Sequence, residues 1–186
     1  MTSEREYAET LLARFSSPAL WNALQGIVDH PQQELRVQTP YVDVGQAHSL
    51  DASLLALSSA QPGSLAHTTR MAHFKNHAVK WRFLHVYDRR IVRYDDTVAN
   101  RFVAYFVRYA MRLLRPVVAM LSQDEATSDQ IPELLRIIGR LNGVWRQLPD
   151  SFKYGRLTDM PLDHPFLQFD PRYHIILKTY LECENG

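Results

Sequence analysis

The chain has 186 residues, of which 46% are hydrophobic, and this suits one globular domain or two small subdomains that share a core. The single cysteine, Cys183, excludes an internal disulfide bond. Neither a membrane-spanning apolar run nor a secretory leader is recognisable in the sequence. We therefore expect a cytoplasmic protein without a membrane anchor.

The net charge of +1 hides a segregation of charge along the chain. Residues 1–65 carry a net charge of −4, residues 66–115 a net charge of +8, and residues 116–186 a net charge of −3. A local positive excess of this size attracts phosphate backbones or an acidic protein surface. The alternative is that the acidic flanks neutralise the basic segment within the fold, and the sequence leaves both interpretations open.

The first third of the chain combines helical and extended patterns. Apolar spacing predicts helices over residues 4–28, divided at Pro18 because proline favours the first position of a new helix. Residues 34–44 alternate apolar and polar side chains, which predicts one strand or two short strands interrupted at Pro40. A short helix is predicted over residues 51–58.

Residues 79–94 predict a basic β-hairpin. The segment 79–87 is rich in aromatic and β-branched residues, and the sequence Asp88-Arg89-Arg90 would turn it back into residues 91–94. Interleaved cations and aromatic rings are typical of surfaces that hold single-stranded nucleic acid. The alternative is a sheet with a buried aromatic face and a solvated cationic face. The cations of this segment are Lys80, Arg82, Arg89, Arg90 and Arg93.

The second half of the chain is predicted to be helical. A helix over residues 97–121 would begin at an Asp96 or Thr97 cap, and Pro116 should kink it or end it one turn early. Its arginines, among them Arg101, Arg108 and Arg112, lie mostly off its apolar face. Further helices are predicted over 129–147 and from Pro171 to about Glu182, with an irregular stretch between them.

These elements predict an α+β fold that is predominantly helical. Residues 1–94 would form a small mixed head that contains the basic hairpin. Residues 95–186 would form a helical bundle, and the two parts would make one compact unit.

No standard catalytic or metal-binding pattern occurs in the sequence. It lacks a Gly-x-Ser-x-Gly elbow, a phosphate-binding loop and the Asp…Glu-x-Lys pattern of metal-dependent nucleases. His73 and His77 stand four residues apart without a third ligand, while Asp159, Asp163 and Asp170 fall in proline-rich loops and a helix cap. The sequence therefore favours a protein that is not an enzyme, with no cofactor, no metal and no catalytic residue.

The most distinctive motif comprises Asp96, Thr97, Asn100, Arg101 and Phe102. Here the chain resembles the McrC-like proteins of modification-dependent restriction systems, and a related group of restriction-endonuclease-like proteins, whose motif reads roughly Asp-Thr-x-Glu-Asn-Arg-Phe-Val. Ala99 stands in place of the glutamate. Residues 42–47 resemble an early strand and turn of that family, and residues 168–173 resemble the start of a late helix.

The resemblance implies an intracellular role in antiviral defence. In such proteins this region is followed by a nuclease domain of the PD-(D/E)xK type, and Gly186 stands where that domain would begin, so we expect the nuclease to be absent from this chain. We predict a non-catalytic adaptor that links an NTPase or recognition partner to a nuclease. The alternative is a sequence-independent DNA-binding module that uses the basic segment 75–115. For either function the candidate binding residues are Lys80, Arg82, Arg89, Arg90, Arg93, Arg101, Arg108 and Arg112.

Overall fold

The structure, a computed structural model, describes residues 4–67, 74–76, 79–123 and 129–185. These residues form two compact units: a helical unit within Met1–Gln33 and Asp95–Gly186, and a strand unit within Glu34–Tyr94. The predicted α+β, predominantly helical class is confirmed. The N-terminal helices belong to the helical unit, and the chain returns to that unit at Asp95.

The helical unit contains seven helices among its described residues. In chain order they are α1 (Glu4–Phe15), α2 (Pro18–Asp29), α4 (Val98–Leu121), α5 (Ile131–Gln147), α6 (Asp150–Tyr154), α7 (Pro165–Phe169) and α8 (Pro171–Glu184). The helix between α2 and α4, α3 (Ala52–Ser59), belongs to the strand unit. Apolar side chains that recur at the helical period pack into one core, in which Phe15, Phe102, Phe106, Leu114 and Tyr173 are fully buried.

The long helix α4 forms as the sequence predicts, and it does not end early at its proline. Thr97 is its N-cap, and the helix continues through Pro116 to Leu121 instead of ending a turn early. Pro116 lies on the exposed side of the helix. The short helices α6 and α7 lie in the stretch that was predicted to be irregular.

The strand unit consists of small antiparallel sheets, one α-helix and one short 3-10 helix. Its described elements are β1 (Glu34–Gln38), β2 (Tyr41–Asp43), the 3-10 helix (Val44–Gln46), α3 (Ala52–Ser59), β3 (Leu65–His67), β4 (Phe74–Asn76), β5 (Val79–Phe83), β6 (His85–Tyr87) and β7 (Arg90–Tyr94). Strand β1 pairs with β7, β2 pairs with β6, and β5 lies between β3 and β4. Asp51 caps α3 by accepting a hydrogen bond from the Leu54 amide at 2.9 Å.

The predicted basic hairpin is wrong. Strand β7 pairs with β1, not with β5 or β6, so the segments 79–87 and 91–94 do not form one sheet. The buried Asp88 explains the difference, because its carboxylate accepts hydrogen bonds from the His48 amide at 3.1 Å and the Ser49 amide at 2.7 Å. The residue that was expected to make a tight turn is instead bound to a distant loop.

No helix in the described ranges combines the length and apolar character that crossing a bilayer requires. His73 and His77 lie outside the described residues, as does the side chain of Lys80, whose backbone belongs to β5.

Candidate binding groove on the helical unit

The buried Asn100 is the centre of the sequence motif. Its side-chain nitrogen donates hydrogen bonds to the Gln32 carbonyl at 2.9 Å and to the Asp95 carbonyl at 2.5 Å. Its side-chain oxygen accepts a hydrogen bond from the Tyr173 hydroxyl, which in turn accepts one from the Gln32 amide at 2.8 Å. The amide of Asn100 is therefore fully engaged, and it holds together the two places at which the chain leaves and re-enters the helical unit.

Arg101 is fixed by an ion pair with Asp96. Its Nε and a terminal nitrogen each lie 2.6 Å from the Asp96 carboxylate oxygens, and the other terminal nitrogen donates to the Arg156 carbonyl at 3.2 Å. A Cβ atom at Gly155 would collide with the Arg101 side chain, so only glycine fits at this close approach. The main role of Arg101 is thus to attach the start of α4 to the loop after α6.

Residues 168–173, which resemble the start of the family's late helix, also have a structural role. Asp170 caps α8 by accepting a hydrogen bond from the Arg172 amide at 2.9 Å, and its carboxylate pairs with the Arg172 guanidinium at 3.0 Å. Arg172 donates further hydrogen bonds to two carbonyls at the end of α2, that of Gly26 at 3.0 Å, which also accepts from the His30 amide, and that of His30 at 2.8 Å. Two of the three segments that carry the resemblance therefore meet, because Tyr173 follows Arg172 and binds Asn100.

A groove of about 480 Å3 lies along α4 beside the motif. Helix α4 supplies Arg101, Ala104, Tyr105, Arg108, Tyr109 and Arg112 to its lining. These positions are spaced by three and four residues, so they form one stripe of the helix. The helix α6 and the loop after it close the other side of the groove.

Arg108 and Arg112 are the cations that the groove offers to a ligand. Both are exposed, and neither forms an ion pair with any residue in the parts of the chain that the structure describes. Arg101 is held by Asp96, and the largely buried Lys153 lies 3.2 Å from Asp150. Successive turns of one helix thus present two adjacent guanidinium groups to the groove.

Aromatic rings form the wall beside these cations. Tyr105, Tyr109 and Tyr180 line the groove, and the Tyr105 and Tyr109 rings are inclined by only 19° with centroids 6.3 Å apart. Tyr180 meets both rings edge to face. The Arg108 guanidinium also lies 5.6 Å from the ring centre of Trp145 on α5, and the Lys153 ammonium lies 5.8 Å from that centre. The site therefore combines fixed aromatic surface with positive charge.

Burial raises the pKa of two phenols of this wall. The pKa of Tyr180 rises to about 12, with a further contribution from the neighbouring Tyr105. Burial also raises the pKa of Tyr109, as does a hydrogen bond with Glu184. Tyr109 and Tyr180 therefore resist ionisation at alkaline pH more than an exposed tyrosine does.

The acidic residues of this region do not assemble a metal site. Asp159 is the one carboxylate that lines the groove, and it is exposed in the loop after α6. Across the described residues, no group of three or more histidine, cysteine, aspartate or glutamate side chains is placed to hold a metal ion. The groove is suited to a ligand that carries both an anionic group and an aromatic or apolar group.

The cations predicted in the strand unit are dispersed. Arg89 lies 3.5 Å from Asp51, and Arg90 lies 2.6 Å from Asp88 and 3.0 Å from the Gln46 carbonyl. The Arg90 hydrogen bond lowers the pKa of the Asp88 carboxyl, as do the loop amides. Arg82 lies in the three-stranded sheet and Arg93 in the β1–β7 pair, so these two cations belong to different sheets.

Sequence reasoning named three arginines of the groove and missed its other components. Lys153, Tyr105, Tyr109 and Tyr180 were not among the predicted site residues, although the spacing of Tyr105 and Tyr109 relative to Arg101, Arg108 and Arg112 already placed them on one stripe. Nothing in the sequence indicated that α6 and α8 would lie opposite that stripe.

Comparison of the chain with models of protein families, with curated proteins and with solved structures found no match.

The Asn100 network yields a test of stability. Asn100→Ala would leave the Gln32 carbonyl without its side-chain donor and the Tyr173 hydroxyl without its acceptor, and the Asp95 carbonyl would keep only the Thr97 amide as a donor. We therefore expect the free energy of unfolding to fall by about 2–4 kcal/mol. Urea denaturation measures this change. The control Asn22→Ala removes an exposed asparagine from α2 and should change stability by less than about 0.5 kcal/mol. Equal effects of the two substitutions would contradict the role of Asn100.

The buried Tyr173 predicts loss of stability at alkaline pH. Burial raises the pKa of Tyr173 to about 12, above the value of about 10 in an unfolded chain. The folded state therefore binds the proton more tightly, and this stabilisation is complete below pH 10 and is lost between about pH 10 and 12. Tyr173→Phe should be less stable at neutral pH, and its stability should fall less steeply across that interval. Denaturation at a series of pH values tests this, and identical slopes would contradict it.

Proposed function

We propose that this chain is a nucleic-acid-binding module, and that the groove on α4 holds the phosphate backbone. The observation that carries the proposal is the pair Arg108 and Arg112, exposed one turn apart in a groove and without ion pairs to the described residues. Guanidinium groups suit phosphate because their planar donors can engage two oxygens at once. The dispersed and paired cations of the strand unit favour this helix over the segment 79–94 as the contact surface.

We further propose that the module belongs to a restriction-type defence system of the McrC-like kind, in which a nuclease acts on the DNA. This part of the proposal rests on the resemblance of the motif around Asn100 and of residues 168–173. The hydrogen bond between Asn100 and Tyr173 supports it, because the two resembling segments serve one structural purpose. The groove begins at Arg101, directly beside that motif.

Neutralising the groove should weaken DNA binding. In Arg108→Gln/Arg112→Gln the two phosphate contacts are lost, so we expect the affinity for duplex DNA to fall about tenfold or more. The slope of log affinity against log salt should also become shallower by about 2, since each phosphate contact contributes about 0.9. Fluorescence anisotropy of labelled DNA, titrated over a range of salt concentrations, measures both quantities.

The matched control removes the same charge elsewhere. Arg136→Gln/Arg140→Gln neutralises two exposed arginines that are also four residues apart, on α5, and should leave the affinity and the salt slope nearly unchanged. In the groove itself, Asp159→Asn removes the lining carboxylate and should tighten binding. An equal loss in both arginine pairs, or an Asp159→Asn variant that binds more weakly, would contradict a phosphate site in the groove.

A second function, that of an adaptor for a protein partner, is favoured by one surface of the strand unit. Leu35, Val37 and Ile91 are 71%, 63% and 70% exposed, and the register places them on one face of the β1–β7 pair together with Arg93. Exposed apolar side chains grouped in this way are typical of protein interaction sites. The candidate partners are the NTPase or the nuclease of the proposed system.

The adaptor function predicts that one face of β1 matters and the other does not. Val37→Lys places a charge on the apolar face, whereas Gln38→Lys places the same charge on the opposite face of the strand. Co-purification with a co-expressed NTPase or nuclease subunit should be lost in the first variant and retained in the second. Retention in both variants would contradict the use of this face.

A further inference from the structure

The groove is shaped for more than a phosphate backbone. Its volume of about 480 Å3 falls within the range of about 300–1,000 Å3 that is typical of pockets for small organic ligands. Apolar side chains, among them Phe152, Leu157 and Met160, line it together with the tyrosines. A site that only tracked phosphates along a duplex would make no use of this enclosed aromatic and apolar surface.

The tyrosine wall provides a surface for stacking. Tyr105 is 37% exposed, whereas Tyr180 is only 6% exposed and supports it from below with a ring centroid 6.0 Å away. Phe102 and Tyr109 lie on either side of Tyr105 along α4, with ring centroids 6.5 and 6.3 Å from it. Because these neighbours hold the ring in place, little conformational entropy is lost when a ligand stacks on it.

The cations lie on the same stripe of α4 as Tyr105. Arg108 follows Tyr105 by three residues and Arg112 follows it by seven, so all three lie on the stripe that lines the groove. A base on Tyr105 would thus have guanidinium donors beside its sugar–phosphate backbone. Aromatic stacking combined with arginine contacts to phosphate is the chemistry by which proteins hold unpaired nucleotides.

We propose that the groove accepts an unpaired nucleotide of a single strand, with the base on Tyr105 and the adjoining phosphates on Arg108 and Arg112. This inference rests on the proposed nucleic-acid function and adds the form of the ligand. In a duplex the bases are stacked on one another and paired, so they are not free to reach Tyr105. In a single strand, or at a strand end, the base is free to contact Tyr105 while the phosphates contact Arg108 and Arg112.

The test compares ligands and variants in one anisotropy experiment. The probes are a short labelled single-stranded oligonucleotide, the duplex of the same sequence, and a free deoxynucleoside monophosphate as competitor. Tyr105→Leu removes the aromatic ring, and Tyr105→Phe retains it as the matched control. Thermal melting of each variant establishes that it is folded.

The single strand should bind more tightly than the duplex. Loss of one stacking contact corresponds to a weakening of roughly five- to a hundredfold for Tyr105→Leu on the single strand. Tyr105→Phe should bind the strand like the unaltered protein, and duplex binding should be the same in both variants. The free nucleotide should compete only at concentrations far above those of the strand.

Three outcomes would overturn the inference, and they separate it from the proposed function. If Arg108→Gln/Arg112→Gln loses DNA but Tyr105→Leu binds single strand and duplex unchanged, the phosphate site stands and the stacking site fails. If no nucleic acid binds at low salt, both fail. If the free nucleotide competes as strongly as the oligonucleotide, the ligand is a small nucleotide rather than a strand.

Discussion

The buried amide of Asn100 is the interaction on which the helical unit depends. Its side chain donates hydrogen bonds to the carbonyls of Gln32 and Asp95, which precede and follow the strand unit in the chain. It also accepts a hydrogen bond from the Tyr173 hydroxyl on α8. A buried polar group without partners is costly, so a side chain that satisfies three others at once is difficult to replace. The start of α4 is fixed by this network and by the Thr97 cap.

The position of the groove follows from that constraint. Because the first turn of α4 is held by Asn100 and by the Asp96–Arg101 pair, the stripe that continues through Tyr105, Arg108 and Arg112 has a defined direction. Gly155 lets the loop after α6 approach Arg101 closely and so closes the far side. The motif thus builds the site without itself supplying the exposed cations, since Arg101 is engaged by Asp96.

The sequence predicted the helices and strands well because the patterns that indicate them are local. It did not predict the strand pairing or the side-chain partners, which depend on residues far apart in the chain. The helix over α4 and its arginines follow from apolar spacing and from a capping threonine. The partners of Asn100 do not, because Gln32 and Tyr173 are 68 and 73 positions away in the chain. The hairpin prediction failed for the same reason. Neighbouring residues in the sequence do not indicate that β7 pairs with β1 or that Asp88 binds a distant loop.

Photo-cross-linking tests the central claim, that the groove on α4 is the nucleic-acid contact, most directly. A single-stranded oligonucleotide that carries a photoreactive base would be irradiated with the protein, and the attached peptides would be identified by mass spectrometry after trypsin digestion. The account predicts attachment to the peptide that contains Tyr105, which trypsin releases by cutting after Arg101 and Arg108. Attachment confined to peptides from Glu34–Tyr94 would contradict it and would assign the contact to the strand unit.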